Sequence, residues 1–138
     1  MKKLLSIMGS SVLSLGVLFG FSGSASAAGY EDNYFTTNDG KWDGTFTVGT
    51  YGNMIYLNIE RAWKNSSGSA IEVTDLKARL CNASTGNCTS YKTFYPGEPH
   101  IAEAYWQNLI PGTYRVDITE PYASTVSGYN SVYVNEDY

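Results

Sequence analysis

From Thr45 onward, apolar and polar residues alternate with a period of two, the spacing of half-buried strands rather than of helices. The clearest run is Met54 to Lys64, in which Ile55, Leu57, Ile59 and Trp63 share one parity and Tyr56, Asn58, Glu60 and Lys64 share the other. This parity assigns Trp63 to the core and Tyr56 to solvent. Thr45 to Thr50 forms a short strand before it, closed by the turn Tyr51-Gly52-Asn53. In Ala70 to Cys81 the apolar parity runs through Ile71 and Val73, then shifts to Leu76, Ala78 and Leu80, which predicts a bulge or bend near Thr74-Asp75. Thr89 to Tyr95, His100 to Trp106, Thr113 to Thr119 and Tyr129 to Asn135 complete the set. About seven short strands with turn signals every 8 to 12 residues or so predict an all-β, antiparallel β-sandwich over residues 45–138. Ile101 to Leu109 has flanking prolines and aromatics that favour strand over helix.

The first 27 residues follow a different pattern. Lys2 and Lys3 precede an apolar stretch from Leu4 to Phe21, and Ala25-Ser26-Ala27 supplies small residues for cleavage, so 1–27 reads as a secretory signal peptide cut between Ala27 and Ala28. The mature chain is expected to be secreted, extracellular and freely released, since no later apolar run approaches the roughly 18 residues needed to span a bilayer. Residues 28–44 are polar and turn-rich, and are expected to form an irregular arm with room for one short strand, loosely held at its start.

Loss of the two signal lysines leaves seven basic against thirteen acidic side chains, a formal charge of −6. Such a balance argues against nucleic acid and against an anionic membrane surface, both of which reward clustered Lys and Arg. The two cysteines, Cys81 and Cys88, lie in the mature region, where the predicted oxidising compartment makes a disulfide the default. They flank Asn82-Ala83-Ser84-Thr85-Gly86-Asn87, read as a hairpin tip with the cysteines opposed at its base.

At Leu109-Ile110-Pro111-Gly112-Thr113-Tyr114 the sequence resembles the corner that enters the penultimate strand of bacterial immunoglobulin-like, fibronectin-like and collagen-adhesin B-type sandwiches. The resemblance implies an Ig-like sandwich with Tyr114 at the turn between the sheets, and no particular activity; the parity it shares with Val116 and Ile118 assigns Tyr114 to the core. Tyr114 stands one residue closer to the glycine than in the fibronectin version, and the cysteine pair closes a local hairpin instead of tying two sheets. In length, signal and strand order the chain also resembles small secreted proteins of unknown function from Gram-positive bacilli.

Candidate chemistry is sparse. His100 is the one histidine, and Glu98, His100 and Glu103 form the one cluster of a base with carboxylates; an edge histidine beside solvated acids is the simpler reading. Asp39 and Asp43 are weak metal candidates whose spacing misses an EF-hand, and their Asp-Gly pairs read as tight turns. No Gly-x-Ser-x-Gly elbow is present, and no cofactor is expected. The aromatics are more informative: all 12 tyrosines and all three tryptophans follow residue 27. Trp42, in a polar turn, and Tyr56 and Tyr133, opposite the apolar parity of their strands, are candidate ligand-binding residues. Trp106 joins them as a residue whose side, shared with Ala102 and Ala104, is either thin core or flat platform. These features predict a non-catalytic module that binds an extracellular glycan or protein through exposed aromatics. The alternative is an inhibitor or antagonist of a hydrolase or a competing cell that inserts the disulfide-closed loop Asn82 to Asn87. A small hydrolase is the third reading.

Overall fold

A computed structural model describes residues 28–50, 53–97 and 101–136. Its strands are β1 (Tyr30–Thr36), β2 (Gly44–Val48), β3 (Met54–Lys64), β4 (Lys77–Asn82), β5 (Lys92–Thr93), β6 (Tyr95–Pro96), β7 (Ala102–Gln107), β8 (Gly112–Thr119) and β9 (Val126–Asn135). They form two antiparallel sheets, a five-stranded one in the order β1-β9-β3-β7-β6 and a four-stranded one in the order β2-β8-β4-β5. The sheets face each other as a sandwich, and the inward parity of each strand supplies the core. Ile55, Leu57 and Ile59 of β3, Ala102, Ala104 and Trp106 of β7, Ala78 and Leu80 of β4, and Val116 and Ile118 of β8 are buried there. Among the described residues, no helix is long and apolar enough to cross a membrane.

Three departures from the sequence reading have local causes. The polar arm is a full edge strand: β1 pairs with β9 from Tyr30↔Val132 to Thr36↔Ser127, and Phe35 is buried in the core. Its acids obscured the pattern because a bulge between Tyr30 and Asn33, with Asp32 at φ 49°, resets the parity. Second, the predicted strand Thr89 to Tyr95 is two strands of two residues each, one in each sheet, and the chain passes between them through buried Phe94. Third, Trp63 is not core. The β3–β9 register shifts between Ile59 and Arg61, so an extra residue turns Ala62 inward and Trp63 outward, where it is half-buried. Gly128, opposite Ala62, permits this approach, since a Cβ there would collide with the Arg61 carbonyl oxygen.

The bend predicted near Thr74-Asp75 is present as a 3-10 turn, Val73–Asp75, which separates Ile71 from the buried Leu76. Tyr114 is buried, stacks on Phe46 at 5.9 Å between centroids, and donates its hydroxyl to the Ile110 carbonyl at 2.7 Å. That bond satisfies the one polar atom of a core side chain and fixes the corner before β8. Cys81 and Cys88 are joined in a disulfide with their Cα atoms 4.0 Å apart. The loop they close is tied by Asn82 N–H to the Asn87 carbonyl and by the Asn82 carboxamide oxygen, which accepts from the Ser84 and Thr85 N–H groups.

Candidate binding face

Strand parity sends Tyr105 of β7, Tyr56 of β3 and Tyr133 of β9 to the outer face of the five-stranded sheet. The register places them side by side, with Tyr56 opposite both Tyr105 and Tyr133. Ring centroids are 6.5 Å apart for Tyr56–Tyr105 and 6.3 Å for Tyr56–Tyr133, with the pairs tilted by 39° and 38°. Tyr95 of β6 lies on the same face but opposite Glu103, two positions along β7 from Tyr105, so it flanks the row without continuing it. Tyr133 and Tyr95 are 61% and 63% exposed, whereas Tyr56, in the middle, is half-covered by its neighbours. The row crosses the three central strands of the sheet, with Tyr56 of β3 paired on both sides, by β7 and by β9.

Beside it the same face carries a polar row, Glu103, Asn58 and Ser131, again in register across β7, β3 and β9. Beyond that lies a second aromatic group. Tyr129 is 5.6 Å from Tyr34 and 6.1 Å from Trp63, and the Arg61 guanidinium sits 5.2 Å from the Tyr129 ring centre. These rings cover Ser127, whose hydroxyl is 2.8 Å from that of Thr36. Hydrogen bonds from Ser127 and Thr36 lower the Tyr34 hydroxyl below its ordinary pKa. Tyr129 and Tyr133 are four residues apart on one strand, so the two aromatic groups are separated by about 13 Å.

The candidates named from sequence therefore separate. Tyr56 and Tyr133 come together in the row. Trp42, 47% exposed, lies against the outer face of the opposite sheet with the Arg115 guanidinium 5.5 Å from its ring. Trp106 is 3% exposed and packed in the core, so it is thin core and not a platform. The sequence reading missed Tyr105, Tyr95, Tyr34 and Tyr129. Tyr105 was within reach of parity: once Ala102, Ala104 and Trp106 face in, Tyr105 must face out with Glu103.

The acidic candidates form no metal centre; among the described residues, no three His, Cys, Asp or Glu side chains gather to hold an ion. Asp39 Oδ1 accepts the Lys41 N–H at 2.8 Å, which is a local turn. Asp43 is no exposed turn residue: it is 5% exposed, at the seam of the two sheets, and its Oδ2 accepts the Ile118 N–H at 2.7 Å. Its carbonyl accepts from Asn33 and Asn130, and Asn130 in turn accepts the Tyr30 hydroxyl. Burial pushes the Asp43 carboxyl up to about 7; the Ile118 bond opposes this, and the charges of Asp117, Asp39 and Glu120 add to it. Glu98 and His100 lie outside the described residues, as does the predicted cleavage site's Ala27.

Among the described residues, five cations rest on rings: Arg61 on Tyr129, Lys64 on Tyr122, Arg79 on Tyr91, Lys92 on Tyr105, and Arg115 on Trp42. Compared with known proteins, the chain matches no family model and resembles no curated protein sequence.

Proposed function

We propose that this is a secreted, non-catalytic binding module that holds an extracellular polysaccharide on the outer face of its five-stranded sheet. The carrying observation is the row Tyr105, Tyr56 and Tyr133 on the three central strands, flanked by Tyr95 of β6. A sugar ring offers an apolar C–H face and a polar rim; a tyrosine offers an apolar ring and a hydroxyl, so the two surfaces complement each other in both respects. The adjoining Glu103, Asn58 and Ser131 supply acceptors and donors for sugar hydroxyls. With the second aromatic group about 13 Å away, the face suits an extended chain of several sugar units better than a single one. Among the described residues, the large exposed apolar side chains are six aromatics and one aliphatic, Ile110, which favours stacking over the mixed apolar core of a protein interface.

The test is retention of the purified secreted protein on a panel of soluble and insoluble polysaccharides, by pull-down and affinity electrophoresis. At least one should retain the protein, and Tyr105→Ala with Tyr133→Ala should abolish retention without changing the circular dichroism. A protein that no polysaccharide retains, or a double variant that binds as well as the parent, overturns the reading.

The inhibitor reading rests on the disulfide loop Asn82 to Asn87, whose exposed tip is held by its own hydrogen bonds and so loses little entropy on insertion.

A further inference from the structure

The tyrosine row ends in a cleft of about 350 Å³ lined by Lys77, Tyr91, Lys92, Thr93, Tyr95 and Tyr105. Tyr105 belongs to both the row and the cleft, and Tyr95 flanks the row and lines the cleft, so a chain stacked along the row runs directly into it. In a chain rich in acid, this lining carries two ammonium groups and no carboxylate. Asp117, close to Tyr91, is already engaged by the Arg79 Nε–H at 2.7 Å and the Tyr91 hydroxyl at 2.9 Å. Lys92 is held in place: its ammonium donates to the Tyr105 carbonyl at 2.6 Å and lies 5.2 Å and 5.5 Å from the Tyr105 and Trp106 rings. One of its three N–H donors is thereby used, and the others are available at a fixed position. Holding the head group in advance removes much of the entropy cost that makes exposed lysines weak ligands.

Resting on the polysaccharide reading above, we propose that this cleft is an anion subsite and that the glycan is acidic, with one carboxylate-bearing sugar seated between Lys92 and Lys77 while its neighbours stack on Tyr105, Tyr56 and Tyr133. The cleft volume lies near the low end for small-ligand sites and accommodates about one sugar unit.

The probe is a single polyuronate, homogalacturonan, in its free-acid form and in its fully methyl-esterified form, which keeps the rings and removes the charge. Titration at low salt should give several-fold tighter binding to the free acid, and the difference should collapse in concentrated sodium chloride, where exposed charges are screened. Lys77→Gln with Lys92→Gln should reduce free-acid binding to the level of the ester, while Tyr133→Ala should weaken both forms alike. An ester bound as tightly as the acid, or a lysine variant that keeps the preference, overturns the subsite. Equal capture of polyglutamate also overturns it, by showing charge recognition without the sugar. If neither form binds but a neutral polysaccharide does, this inference fails and the polysaccharide reading stands; if nothing on the panel binds, both fail.

Discussion

Replacing Asp43 by asparagine should remove a pH dependence that the sandwich carries in its seam. The carboxyl titrates at 3.8 in an unfolded chain and at about 7 when buried against Ile118, so the folded state prefers it protonated. Between these values the folded protein holds a proton that the unfolded chain has released. Stability from this group is therefore fully present below pH 4 or so and is lost as pH rises toward neutrality, at about 1.4 kcal/mol per pH unit. Over the window of about three units the loss is on the order of 4 kcal/mol, a large part of the margin of a small domain. The substituted carboxamide would keep an oxygen for the Ile118 N–H while carrying no charge, and so stands in for the protonated acid. Urea unfolding at a series of pH values should show the two proteins nearly equal at pH 4 and Asp43→Asn more stable by a few kcal/mol at pH 8. All other carboxylates are common to both proteins, so the difference isolates this site. Equal stability at pH 8, or a gap that does not change with pH, would refute the burial argument. Asp43→Ala, by contrast, should be less stable than Asp43→Asn at every pH by about 1–3 kcal/mol, since it strands a buried N–H.

Four further outcomes follow, three from the structure and the last from the sequence of the first 27 residues. Cys81→Ser with Cys88→Ser should lower stability by about 2.5 kcal/mol, the chain-entropy value for a ring of this size, with the β-type circular dichroism kept. Trp106→Ala should cost on the order of 3–5 kcal/mol in denaturant titrations, whereas Trp42→Ala should cost under about 1 kcal/mol and leave polysaccharide retention unchanged, because Trp42 lies on the other sheet. Tyr114→Phe should cost about 1 kcal/mol by removing the bond to Ile110, with no change in cooperativity. Intact-mass analysis of culture supernatant should find a chain beginning at Ala28.

The two-sheet architecture was legible in the period-two pattern, because one face of most strands is buried and the other wet. In two of the three places where that pattern failed, an extra residue had slipped the parity, at Asp32 in β1 and between Ile59 and Arg61 in β3. Sequence periodicity cannot place such a slip without knowing the partner strand. The same limit applies to the site. Parity sent Tyr56 and Tyr133 outward, but their adjacency is a property of register across β3 and β9, which distant residues set. The polar network of Asp43, Asn130 and Tyr30 was invisible for a related reason: Asn130 lies 87 residues from Asp43 and 100 from Tyr30, and the three meet only when the sheets close.

The crossing through Phe94 has a consequence for how this protein tolerates its own copies. A sandwich ends in four sheet edges, and each is a row of unpaired backbone groups on which a second molecule can add a strand. Here β5 and β6 split one passage between the two sheets, so each edge strand on that side is only two residues long, and β6 ends in Pro96, which has no N–H to offer. Of the other two edges, β1 is kinked by its bulge at Asp32, and β2 is bridged by Ala28, whose N–H and carbonyl both bond Thr47. Beyond β6 the open side of β7 begins at Ala104, and there the Lys92 ammonium occupies the Tyr105 carbonyl, so a strand adding beside the broad aromatic face meets a charged side chain first.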